Sequence, residues 1–145
     1  MKASRLKLIA CAVVMLLTAC SSVTSPFALA PESELPEFVH NMSHRVREAY
    51  QFAIANQEEL AKYPCYCGCG AMGHLSNLNC YLHVADTRGT IVFDSHAVGC
   101  GICVDITHDV MRLLREGKSS PEIRAYIDAQ YSSFGPSTNT PLPLT

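Results

Sequence analysis

The chain has 145 residues, with 13 acids, 11 bases, eight cysteines and no tryptophan, and a formal net charge of −2. That length suits one modest domain. An acidic chain with no basic cluster is a poor nucleic-acid binder, and no phosphate-binding glycine loop, Ser/His/Asp order or paired-carboxylate signature points to a nucleotide enzyme or a hydrolase.

Met1 to Leu8 carries Lys2, Arg5 and Lys7 and no acid, and an apolar run to Leu17 follows. This reads as a signal peptide over residues 1–19, too short to span a bilayer as a mature helix. Leu17-Thr18-Ala19-Cys20 resembles the lipobox of bacterial lipoproteins, which implies cleavage before Cys20 and lipidation of its thiol. The expected location is therefore the bacterial cell envelope, on its periplasmic or extracellular face, with the membrane as a partner through the lipid. Cys11 leaves with the signal and Cys20 is consumed by lipid. Six thiols remain, along with 13 acids and 8 bases, a net charge near −5. Outside the cytosol disulfides can persist.

Residues 20–34, rich in Ser and Pro, read as a flexible tether. From Leu35 to about Ala61, apolar residues recur at three- and four-residue steps, which predicts one long helix ended by Tyr63-Pro64. His40 and His44 share a face of it and read as solvated. Tyr81 to Val84 and Thr90 to Phe93 are β-formers around Asp86-Thr87-Arg88-Gly89, a short hairpin. A helix from about Val104 to Glu116 follows, with Gly117 as its C′ residue. Ser119 and Glu122 have capping-box spacing with Pro121 in the first turn, opening a last helix that stops at Gly135-Pro136. Residues 136–145, rich in Pro and Thr, read as a disordered tail. The fold class expected is mainly α. A small helical domain over 35–135, with a long N-terminal helix and a C-terminal helical hairpin, surrounds a cysteine-rich loop region with a short β-hairpin.

Pro64-Cys65-Tyr66-Cys67-Gly68-Cys69-Gly70 is the densest chemistry in the chain. Extended backbone sends alternate residues to one side, so Cys65, Cys67 and Cys69 can converge. Cys80 follows, and then Cys100 and Cys103 form a C-x-x-C that opens a helix, where the dipole favours thiolates. Thiolates are soft ligands that select Cu(I), Zn(II) or iron–sulfur clusters. A single zinc needs four ligands. Six thiols, with His74, His83 and His96 nearby, exceed that need and suit a polynuclear Cu(I)–thiolate cluster. Haem attachment needs a histidine after C-x-x-C, and Val104 stands there. A disulfide inside C-x-C closes a strained ring. His83 and Met72 read as structural, and Asp94 and Asp105 as helix caps.

Pro64 to Cys69 matches, letter for letter, the motif of the PCYCGC family of bacterial lipoproteins. The resemblance continues through Gly73-His74, Asn77, Cys80, Phe93 to His96, Cys100 to Cys103 and Asp105. It implies no settled activity. Arg115 to Phe134 is more distantly similar to the tail of the CxxC thiol-oxidoreductase module of cytochrome c maturation. The resulting expectation is a metal-binding protein rather than an enzyme. Cys65, Cys67, Cys69, Cys80, Cys100 and Cys103 would be ligands and His74 and His96 accessory. Cu(I) is the favoured ion, Zn(II) the alternative, and a metal donor or acceptor protein the expected partner. The competing readings are thiol–disulfide exchange through Cys100 and Cys103, and an interaction module stapled by disulfides or zinc.

Overall fold

The computed structural model describes residues 25–87 and 89–144. The expected signal peptide and the expected lipidation site Cys20 lie outside the described residues. Six helices and one two-stranded antiparallel sheet are present among those described: α1 (Glu37–His40), α2 (His44–Ala55), α3 (Gln57–Leu60), β1 (Leu82–Val84), β2 (Ile91–Phe93), α4 (His96–Gly99), α5 (Gly101–Arg115) and α6 (Ser120–Tyr131). The domain is mainly α. No helix among the described residues is long and apolar enough to cross a membrane.

The single long N-terminal helix expected from Leu35 to Ala61 is instead three segments. Ser43 is extended (φ −57°, ψ 152°) and its hydroxyl accepts from the Val46 N–H at 3.4 Å, so the chain restarts a helix there. Asn56 (φ −133°, ψ 48°) closes α2, and its carbonyl accepts from the Leu60 N–H at 3.0 Å to start α3. Ser and Asn side chains compete with the helical ladder for backbone groups, and here they win over the apolar periodicity.

The C-terminal half forms as its local signals dictate. Gly117 and Lys118 donate to Leu114 and Leu113 carbonyls, both at 3.0 Å, a Schellman closure of α5. Ser119 and Glu122 form the capping box of α6. The hairpin pairs Leu82 with Phe93, His83 with Val92 and Val84 with Ile91.

α5 is the central element. α2 packs on one side of it and α6 on another. Tyr50, Phe52, Ile106, Val110, Met111, Ile123 and Ile127 are fully buried between them. Tyr50 stacks edge-on against Tyr81 at 4.9 Å, joining α2 to the segment before the hairpin. Phe134, beyond the end of α6, is 59% exposed.

Both ends of the domain depart from the sequence expectation. The described part of the tether is docked, not free: Phe27 meets Phe52 edge-on at 5.0 Å, and the Ala30 N–H donates to Gln51 O at 3.1 Å. The tail is docked too. The Thr138 N–H donates to Cys65 O at 2.9 Å, and the Cys65 N–H donates back to Thr138 Oγ1 at 2.9 Å. Thr140 Oγ1 donates to Leu75 O at 2.6 Å, and the Arg124 guanidinium holds the Thr140 and Pro141 carbonyls at 3.1 Å. The approach needs a glycine at the turn, since a Cβ on Gly135 would sit 2.9 Å from Tyr66 O. Low apolar content argued for disorder, yet backbone pairing with the buried Cys65 supplies what apolar burial does not.

Candidate metal centre

The two cysteine loops meet. The first leaves Tyr63 without helix or strand and turns at Gly68, whose φ of +86° is left-handed and suits glycine. That reversal brings Cys69, at the start of a 3-10 turn (Cys69–Met72), back beside Cys80 at the end of a second 3-10 turn (Asn77–Cys80). The second loop supplies His96 from α4, Cys100 just before α5, and Cys103 in the first turn of α5.

Cys103 is anchored by its backbone. Its carbonyl accepts from Tyr81 Oη at 2.9 Å, Thr107 Oγ1 at 3.1 Å and Asn77 Nδ2 at 3.3 Å. These buried polar partners lock α5 to the segment that carries Cys80. In the sequence Asn77 stands out only as part of a motif, and Tyr81, Thr107 and Thr138 do not stand out as supports. None of them carries a local signal of its role, because each partner is at least four residues away.

The sulfur geometry is that of a ligand cage. Cys65 Sγ lies 3.3 Å from both Cys67 Sγ and Cys103 Sγ, Cys67 lies 3.7 Å from Cys103, and Cys69 lies 3.7 Å from Cys80. His96 Nε2 is 3.2 Å from Cys67 Sγ. Sulfurs at about 2.3 Å from one tetrahedral zinc would stand about 3.8 Å apart, so this cage needs only a small expansion to hold an ion. All six cysteines among the described residues are free thiols. Four overlapping donor groups have mutual distances within 4.8 Å: Cys67/His96/Cys100/Cys103, Cys65/Cys67/Cys69, Cys65/Cys80/Cys103 and Cys69/Cys80/His96. Every expected thiol is therefore in the cage, and His96 joins two of its groups. Such Cys/His clusters could hold a metal ion.

His74 stands at the edge. Its Nδ1 is 3.6 Å from Cys80 Sγ, and its Nε2 is 3.4 Å from Asp94 Oδ2. Its ring is edge-on to His96 at 5.4 Å. Asp94 both caps, accepting from the His96 N–H at 2.7 Å, and faces His74. Asp105 does not cap; it pairs with Arg45 at 2.6 Å on the surface. His83 is exposed, and Met72, expected in the core, is 60% exposed. His40 and His44 fall on either side of the α1–α2 break, both exposed.

Protons are unevenly held in this crowd of sulfurs. Hydrogen bonds from Cys65 and Cys80 lower the Cys103 thiol to about 6, against the effect of its burial. Cys80 is pushed far above the usual thiol range by its bonds to Cys103, Cys65 and Cys69 together with burial. Burial, followed by the nearby Cys103 charge, pushes Cys67 the same way. A compact thiol cluster tolerates few negative charges until a cation enters it. A cavity of about 570 Å³ beside α3 is lined by no cysteine, so it is not the seat of this chemistry.

A family model described as a protein of unknown function with PCYCGC motif matches residues 28–143. No curated protein and no solved structure matches the chain.

Proposed function

The chain belongs to the family of proteins of unknown function with the PCYCGC motif, and on that premise we propose that it is a lipid-anchored cell-envelope protein that binds Cu(I) for sequestration or handover. The observation that carries the reading is the set of overlapping donor groups. One four-donor group alone would satisfy a zinc ion. Here three further thiols, Cys65, Cys69 and Cys80, stand in triangles that share sulfurs with it and with each other. Cu(I) accepts two or three soft donors and tolerates bridging thiolates, so shared triangles suit several Cu(I) ions better than one Zn(II). The anchor rests on the Leu17 to Cys20 lipobox pattern.

Thiol–disulfide exchange has one observation in its favour, the lowered Cys103 thiol beside Cys100. However, the attacking thiol of that reading is Cys100, which is half-buried and stands within 4.8 Å of Cys67, His96 and Cys103, and its partner Cys103 is fully buried among Cys65 and Cys67. An attacking thiolate must be reachable by its partner's disulfide. Burial among other thiols serves a ligand better than a nucleophile.

The test is a Cu(I) titration of the full chain in detergent, reduced and free of oxygen, against a chromogenic Cu(I) chelator. The expected result is more than one Cu(I) per chain with loss of titratable thiols. Failure to compete for any Cu(I) while the thiols remain reduced would sink the copper reading.

A further inference from the structure

Four of the cage thiols are sealed: Cys65, Cys69, Cys80 and Cys103 are each 1% exposed or less. An ion that reaches them must cross the wall somewhere. On the Cys80 side stands the imidazole of His74, whose side chain is 11% exposed and whose Nδ1 is 3.6 Å from Cys80 Sγ. Outside it lies a cavity of about 250 Å³ lined by Met72, Gly73, His74, Asn79, His83 and Asp94. The chemistry of that lining is unusual for a surface hollow. It holds one thioether, two imidazoles and one carboxylate, with no Lys or Arg.

Met72 is hard to explain otherwise. A methionine normally fills irregular gaps in a core, but this one is 60% exposed. It is the last residue of the 3-10 turn that begins at Cys69, and the His74 N–H folds back to Cys69 O at 3.4 Å. His83 points outward from β1, opposite Val92. The Asp94 carboxylate, 3.4 Å from Nε2 of His74, favours the proton on that nitrogen and leaves the Nδ1 lone pair facing Cys80.

Resting on the soft-metal reading above, we propose that this cavity is the loading port of the cage: Met72 and His83 capture an incoming Cu(I), and His74 passes it to Cys80. The ion stays Cu(I) throughout. A protonated cage thiol gives up its proton to solvent when it makes its first bond to the ion, and a sulfur already ionised or already bridging gives up none, while the thioether and imidazoles bind and release the ion as neutral ligands. The port is thus a kinetic device, and the cage holds the ion at equilibrium.

The experiment follows Cu(I) transfer from its bicinchoninate complex to the reduced full chain by stopped-flow absorbance, without oxygen. The variants are Met72→Leu, His83→Asn, the double variant, and His74→Gln. The double variant should load slower by about tenfold or more, while final Cu(I) per chain and its affinity match wild type. Met72 and His83 are both exposed, so these changes leave the core untouched even where His74→Gln perturbs the fold. An unchanged loading rate in the double variant overturns the port. A fall in final capacity or affinity that accounts for the slower rate also overturns it, since the two residues would then be equilibrium ligands. Wild type that takes up no Cu(I) at all defeats the soft-metal reading itself, an outcome separate from the other two.

Discussion

Replacing Cys103 with serine should remove at least one Cu(I) per chain, and the remainder should bind about 10–100-fold more weakly or worse. Cys100→Ser should do less. Cys103 belongs to two donor groups and Cys100 to one. Cys103 also touches both Cys65 at 3.3 Å and Cys67 at 3.7 Å, so its loss opens a four-donor and a three-donor group together. Serine is nearly the same size but a hard, poor ligand for Cu(I), so the change tests ligation more than packing. Burying a hydroxyl there costs about 1–3 kcal/mol if it finds no partner, so capacity should be compared on protein whose helical circular dichroism is intact. Equal losses in the two variants, or no loss in Cys103→Ser, would contradict the shared-sulfur arrangement.

Loading should also expel protons, and Cu(I) affinity should climb with pH. Metal-free, the cage keeps Cys67 and Cys80 protonated well above neutral pH, Cys67 chiefly by burial and Cys80 chiefly by its bonds to Cys103, Cys65 and Cys69. The Cys103 thiol has already ionised above about 6. The metal-free protein therefore binds protons that the loaded protein does not. Affinity then rises by about tenfold per pH unit for each proton displaced. Across pH 7–9 at least the Cys67 and Cys80 protons contribute. As pH falls through about 6 the dependence should steepen, because Cys103 regains a proton that must also be displaced. Chelator competition at several pH values, with proton release read in weak buffer, measures this. An affinity that does not change with pH would mean that the thiols are not the ligands.

Features governed by neighbours in sequence were legible before the fold was known. The Schellman closure at Gly117 and the capping box of Ser119 and Glu122 need only a few adjacent residues, and both appear as expected. The hairpin likewise followed from two β-rich runs around a turn. The break at Ser43 was hidden because the apolar steps continue across it, and only the cap geometry reveals the restart of the helix. The docked tail was hidden for a different reason. Thr138 pairs with Cys65, 73 residues away, and composition carries no record of such a partner. In the metal centre, cysteine spacing suggested that the loops could converge, and they do. It could not show which histidine sits among the sulfurs. His96 lies 3.2 Å from Cys67, whereas His74 stands at the margin between Cys80 and Asp94. Met72 was misjudged because methionine's usual place is a core, and nothing local announces an exposed one.

The most direct test of the thiolate cage is X-ray absorption at the copper edge on the fully loaded, reduced chain. The expected spectrum is that of Cu(I) with a first shell dominated by sulfur and a minor nitrogen contribution from His96. A short copper–copper vector should also appear, because sulfurs shared between triangles bridge neighbouring ions. A first shell of nitrogen and oxygen, or sulfur ligation with no copper–copper vector at full loading, would contradict a shared-thiolate cluster.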